Sequence, residues 1–380
     1  MKRILLTLAT VAALARPAAA REHFVFFGTY TGAKSKGIYV ARFDDKTGKL
    51  SAPALAAETK SPSFLALHPN GRVLYAVGES DSLGETKQGG VSAFALEPAT
   101  GQLRFVNTQP SGGSGPCHLA LDAKARWVFT ANYGSGSVAA LPIRPDGSLD
   151  APASIMQHSG SSVNPQRQTG PHAHCTVLSP DQRLLLACDL GLDKLMIYRV
   201  GAEGRALVEN DPPFTQLAPG AGPRHLAFGR DGKFAYVVNE MGSSVTVLNY
   251  DAKLSAFTET QTTSTLPDKF DGKNSTCAEI AVHPSGKFLY ASNRGHDSLA
   301  GFAIERKTGL LKFVAHTPTG GKTPRHFAID PSGDWLLAEN QASDSVVVFR
   351  VNPRTGELTR ADEPVSVPAP VCAVFLPVAK

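Results

Sequence analysis

Apolar and polar residues alternate along this chain in short runs, and the runs recur as a phrase. GPCHLALDAKARWVFTAN begins at Gly115, GPHAHCTVLSPDQRLLLACD at Gly170, GPRHLAFGRDGKFAYVVN at Gly222 and TPRHFAIDPSGDWLLAEN at Thr323. TCAEIAVHPSGKFLYASN from Thr276 and SPSFLALHPNGRVLYAVGE from Ser61 are further copies. The spacing of about 46 to 55 residues is that of a four-stranded propeller blade. Within each copy, runs rich in Val, Leu, Phe and Tyr flank turn pairs such as Asn70-Gly71, Asp231-Gly232 and Ser285-Gly286. A third run, as in residues 244–250, follows a small-residue turn, and a weaker fourth follows a TGxL phrase, as at Thr100 and Thr355. No stretch sustains a helical period.

First strands start near Ser63, Cys117, His174, Arg224, Ala278 and Arg325, and a last one lies in residues 369–377 with nothing after it. Residues 23–58 hold three strand-like runs with no first strand before them. Joining the two ends completes a seventh blade and leaves no free sheet edge. The prediction is an all-β, seven-bladed β-propeller, one domain over residues 21–380.

In a propeller the first strand of each blade lines the central channel, and its start meets the end of the second strand at one mouth. The first-strand column reads Ser63, Cys117, His174, Arg224, Ala278, Arg325; sixteen residues on it reads Glu79, Tyr133, Leu190, Glu240, Arg294, Gln341. A packing column would keep one apolar type, so this diversity marks a site. The insertions 80–90, 157–170 and 261–275 fall at the same mouth, and loops on a rigid scaffold commonly carry function. A nearly uniform column, Asn132, Asp189, Asn239, Asn293 and Asn340, reads as turn-stabilising instead. The repeated His118, His225 and His326 read as packing or blade-to-blade hydrogen bonds, and Glu240 with Arg224 as a possible plain ion pair. His172 lies two residues from His174, so in an extended strand both point the same way. With Asp189 this resembles part of a zinc site, but no third ligand column accompanies it; neither metal nor other cofactor is expected.

Composition narrows the partners. Of 380 residues, 19% are charged and the net charge is +5; without a basic run interleaved with aromatics, nucleic acid is not an expected partner. Lys2 and Arg3, an apolar run over residues 4–15 and the alanines at 18–20 have the order of an export signal with cleavage before Arg21. The apolar run is too short to span a bilayer. The expected location is therefore the periplasm or exterior, with no membrane anchor after cleavage and a monomeric state. Cys175 and Cys188 sit symmetrically about Asp181-Gln182 and can face each other across a hairpin; two buried thiols are expected in preference to a disulfide.

The phrases GPHAH at Gly170, CDLGLDK at Cys188, GPRH at Gly222, VVNE at Val237, SNRGHDS at Ser292 and TPRHFAIDPSG at Thr323 resemble the lactonase family of β-propellers. That family includes bacterial 6-phosphogluconolactonases and fungal carboxy-muconate cyclases. The resemblance spans nearly everything after the export signal. It implies a lactone hydrolase whose catalytic set is His174, Arg224, Glu240 and Arg294, with either His174 or Glu240 as base and the arginines holding the substrate and its oxyanion. Glu79, Tyr133, His172 and Arg325 are the expected substrate-binding neighbours. A cyclase acting on muconates and a non-enzymatic binding propeller are the alternatives. Since 6-phosphogluconolactone belongs to the cytoplasm, export favours an unphosphorylated sugar lactone.

Overall fold

The computed structural model describes residues 22–201 and 205–378. The expected export signal lies outside them. Seven antiparallel sheets follow one another around a ring. Blades 1 to 6 span residues 65–110, 116–157, 173–216, 223–264, 276–318 and 324–366. In each, the strands run outward from the channel in chain order, four to a blade except that the outermost position of blade 6 is split between Leu358–Arg360 and Val365–Ser366. Blade 7 is built from both ends of the described chain. Its inner strand, Pro370–Pro377, pairs antiparallel with Glu22–Thr29, followed by Gly37–Asp44, Lys49–Leu50 and Ala54–Glu58. The expected ring closure is thus made by main-chain hydrogen bonds, which abolish the innermost free edge.

The core consists of seven seams rather than one centre. A hydrophobic cluster fills each gap between neighbouring blades, including blade 7 against blades 6 and 1. Second-strand residues on alternate faces feed the two flanking seams. In blade 4, Ala235 and Val237 enter the seam with blade 3, while Tyr236 and Val238 enter the seam with blade 5. The TGxL phrase has a role here. Tyr236 donates to the carbonyl of Gly309 and Tyr290 to that of Gly356, each in the following blade. Both glycines have positive φ and lie against the Phe234 and Phe288 rings, where a Cβ would clash.

The fold also explains how inner strands present side chains. In blades 2, 3, 4 and 6 the pairing of first and second strands skips one residue, namely Cys117, His174, Arg224 and Arg325. Blade 7 skips Val371 in the same way. These are β-bulges, which leave the extra residue outside the ladder and re-aim its side chain. Four of the six positions of the diversified first-strand column are therefore bulge positions, and in blade 5 Ala278 falls within a wider register shift. The Asn/Asp column is held as a turn clamp: Asn132, Asn239 and Asn293 each bond the serine hydroxyl five residues on. Cys175 and Cys188 are register partners, and both thiols are buried and free.

Candidate active site

The bulge residues and the ends of the second strands meet at one mouth of the channel. A cavity of about 440 Å³ opens there, lined by Tyr30, Glu79, Cys117, Tyr133, Arg167, His174, Glu240, Arg294 and Arg325. A small void of about 10 Å³ lies next to it, bordered by Arg224 and Arg325 among others, and is of the order of one water position. His174, Arg224, Glu240 and Arg294 are thus brought together with Glu79, Tyr133 and Arg325.

Glu240 is the electrostatic centre. Its Oε1 accepts from Arg167 Nη2 at 2.9 Å, and its Oε2 lies 2.9 Å from Arg294 Nη2 and 3.1 Å from Arg224 Nε. The Arg224 contact is an ion pair off the line of the N–H rather than a hydrogen bond. Burial alone would raise the Glu240 carboxyl, but Arg294, Arg224 and Arg167 outweigh it and hold it down to about 2. Three guanidinium charges against one carboxylate leave an excess of two positive charges. Arg224, only 2% exposed, is lowered to about 10 by burial and then by Arg325 and Arg294.

His174 faces this cluster as a neutral imidazole. Burial first, then the charge of Arg224, pushes its pKa well below the usual histidine range. Its Nδ1 lies 3.7 Å from Cys117 Sγ, and Nε2 makes no hydrogen bond among the described residues. A Cys–His pair in a cavity is the geometry of thiol nucleophiles. Here burial, then Glu79, pushes the Cys117 thiol up, so it is a neutral neighbour and not an activated thiolate.

The opposite wall is organised around Glu79. Tyr30 donates its hydroxyl to both Glu79 oxygens at 2.9 and 2.8 Å, and Ser63 donates to Oε2. Arg325 stacks over the Tyr30 ring, 5.1 Å from its centroid. Unlike the other three arginines of the mouth, Arg325 makes no ion pair or hydrogen bond among the described residues.

The profile of the family described as lactonase, 7-bladed beta-propeller, matches residues 24–375. The chain belongs to the lactonase family. This lactonase-family propeller is 39% identical over 355 residues to 6-phosphogluconolactonase of Bacillus subtilis, covering 93% of the chain and 99% of that protein. It is 33% identical to a 6-phosphogluconolactonase of Formosa agariphila, over 80% of the chain and 85% of that protein. The solved structure of a periplasmic gluconolactonase from Pseudomonas aeruginosa superposes with a TM-score of 0.89 and 36% identity, covering 94% of the chain and all of that structure.

Two mouth residues of this lactonase-family propeller were outside the expected set. Tyr30 ends the second strand of the closing blade, so it belongs to the second column, but its first strand lies at the other end of the chain. Arg167 comes from the insertion after blade 2. That loop is anchored at its base by His158 Nδ1 to Asp189 Oδ2, 2.5 Å, and near its end by Gln168, which donates to the Leu190 carbonyl and Asp193 Oδ1. Asp193 also accepts from Ser162 and from the amides of Gly220 and Gly222. His172 sits beside the cavity and not on its lining: it stacks on Tyr133 with centroids 4.4 Å apart and meets the Tyr133 carbonyl through Nδ1. The other oxygen of Asp189 accepts from the His172, Gly191 and Leu192 amides, so this carboxylate serves the backbone and the loop.

Proposed function

We propose that this enzyme hydrolyses a sugar-type lactone, with water attacking the ring carbonyl at the propeller mouth. The observation that carries the reading is the neutral His174, its Nε2 unoccupied, beside a carboxylate gripped by three arginines. Both Glu240 oxygens are committed to guanidinium groups, whereas His174 lines the cavity with Nε2 free of hydrogen bonds among the described residues, and as the Nδ1–H tautomer it offers a lone pair there. His174 therefore takes the proton as water adds to the carbonyl carbon, and the carbonyl electron pair moves onto oxygen. The excess positive charge of Arg224 and Arg294 stabilises that oxyanion. Collapse of the tetrahedral adduct breaks the ring C–O bond, the imidazolium returns its proton to the departing ring oxygen, and a hydroxy acid results.

Arg325, which feels Glu79 and Glu240 but makes no close ion pair among the described residues, is the group suited to the anionic end of the substrate or product through its planar fork. Glu79, Tyr30, Tyr133 and Ser63 offer donors and acceptors for sugar hydroxyls. The export-type N-terminus and the likeness to a periplasmic gluconolactonase favour an unphosphorylated aldonolactone in the periplasm. The test is proton release from glucono-δ-lactone and from its 6-phosphate by chelator-treated protein spanning residues 21–380, beside Arg224→Ala. Acceleration abolished in the variant supports a metal-independent lactonase, and the preferred lactone fixes the role of phosphate. No acceleration with either lactone would defeat the reading. The same excess of positive charge also suits a muconolactone carboxylate, which product analysis separates.

A further inference from the structure

Beneath the mouth a second tier fills the channel, contributed by the residue after the first-column position in five blades. It comprises Phe64, His118, His225, Glu279 and His326. The His225 Nδ1 lies 2.9 Å from Glu279 Oε2, across the boundary between blades 4 and 5. Its Nε2 lies 3.3 Å from Arg224 Nη1, which also donates to the Ala278 carbonyl at 2.6 Å. His326 stands on the other side of Glu279, with Nε2 at 3.6 Å from Oε2 and Nδ1 at 2.7 Å from Glu339 Oε2. The rings of His118, His174 and Phe64 also surround His225, at 5.1, 5.2 and 6.0 Å between centroids.

The polarity of this chain of contacts follows from its ends. A guanidinium only donates, and an ionised carboxylate only accepts. A neutral imidazole between them must carry its proton on Nδ1, toward Glu279, and turn the Nε2 lone pair to Arg224. Burial, partly offset by Glu279 and reinforced by Arg224, lowers His225 to about 4, so it is neutral at pH 7. Burial would raise Glu279, but His225 and His326 hold it at about 2. Both hydrogens of Arg224 Nη1 are then spent, on His225 and on Ala278. Its Nη2 makes no hydrogen bond among the described residues, and Nε pairs with Glu240.

We propose that Glu279 and His225 are positioning residues: they hold His225 as the Nδ1–H tautomer and thereby fix the rotation of the Arg224 guanidinium, leaving Nη2 for the substrate. The kinetic consequence rests on the lactone reading; the tautomer does not. Without the acceptor on Glu279, the buried Nδ1–H is left unpaired and the imidazole loses the contact that sets its rotation, so Nε2 no longer meets Nη1 squarely and Arg224 swings away from its angle. Displacements of this kind, remote from the chemistry, cost up to about 100-fold in rate.

The test begins with nitrogen NMR of the labelled 21–380 protein at pH 7. A protonated Nδ1 and an unprotonated Nε2 on His225, with separate Nη1 and Nη2 signals for Arg224, are expected. An Nε2–H tautomer or an imidazolium would overturn the proposal, whatever the enzyme hydrolyses. In the second arm, Glu279→Leu is expected to lower kcat/KM roughly 10- to 100-fold and merge the Arg224 signals. Glu279→Gln, whose amide oxygen still accepts, recovers most of both. Unchanged kcat/KM in Glu279→Leu, or loss without recovery in Glu279→Gln, also overturns it. If Glu279→Leu does not fold, His225→Phe removes the same acceptor for Nη1 and is expected to show the same loss. If the wild type opens no lactone, the functional reading fails while the tautomer result still decides this proposal.

Discussion

Glu240 separates two kinds of importance at the level of a single residue. As a counter-ion for three guanidinium groups it supports the fold of the mouth; as a base it would be needed only for turnover. Glu240→Gln leaves Arg224, Arg294 and Arg167 uncompensated around a 5% exposed side chain. Removing one partner of a buried pair costs roughly 3–5 kcal/mol. We expect urea denaturation to show a loss of that order together with the loss of activity. A variant as stable as wild type but inactive would instead make Glu240 the base. His174→Asn, in contrast, is expected to leave the urea midpoint nearly unchanged and to lower kcat roughly 10²- to 10⁴-fold. Because His174 stays neutral far below the ordinary histidine range, the acid limb of kcat/KM should show no inflection near 6.5. Much of this cluster is legible in the sequence. His174, Arg224, Glu240, Arg294, Glu79, Tyr133 and Arg325 fall in two columns because the repeat places a bulge and a strand end sixteen residues apart. Arg167 has no register, since it lies in an irregular insertion outside the strand repeat. The pairing of Arg167, Arg224 and Arg294 on one carboxylate depends on side-chain directions that periodicity does not encode.

The insertion between blades 2 and 3 shows how an irregular element is made rigid. Its polar groups converge on two buried carboxylates, Asp189 and Asp193, located around the tight turn after the second strand of blade 3. Asp193 adopts φ of 55°, a conformation that aspartate tolerates, and gathers four donors from both the insertion and the segment leading to blade 4. Asp193→Ala strands those donors and is expected to cost about 3 kcal/mol or more. Limited proteolysis should then cut within residues 158–170, and the arginine they carry should no longer reach Glu240. Asp193→Asn, keeping the turn and some acceptor capacity, should suffer less. The seven-blade ring and its closure could be deduced because blade length and turn chemistry repeat. The course of this loop could not, because it is set by contacts to Asp189, which the repeat pattern classes as a turn residue, and to Asp193, which the pattern does not single out.

For the molecule as a whole, the seven seams make stability a property of the closed ring. Deleting residues 370–380 removes the inner strand of blade 7 and exposes both adjoining seams, so we expect loss of cooperative unfolding in calorimetry. Acid should act through the channel. Glu240 and Glu279, held at about 2, contribute stability that is complete above the unfolded carboxyl value near 4.5 and is lost as pH falls toward 2. His225, lowered to about 4, removes stability between 6.5 and 4, because only the unfolded chain takes up that proton. His326 and Glu339, both raised, act in the opposite sense and lose their contribution as pH rises. The net expectation is an unfolding temperature that falls steadily from pH 6.5 to pH 3. Phe64, meanwhile, packs among inner-strand histidines of three other blades, its ring 4.0 Å from His118 and 6.0 Å from both His225 and His326. Its ring and the three imidazoles narrow the passage beneath the mouth cavity. On the proposed reading, substrate and product share the mouth: the hydroxy acid leaves past Tyr133 and Arg167 before the next ring enters, and accumulated acid should compete with incoming lactone for the same vestibule.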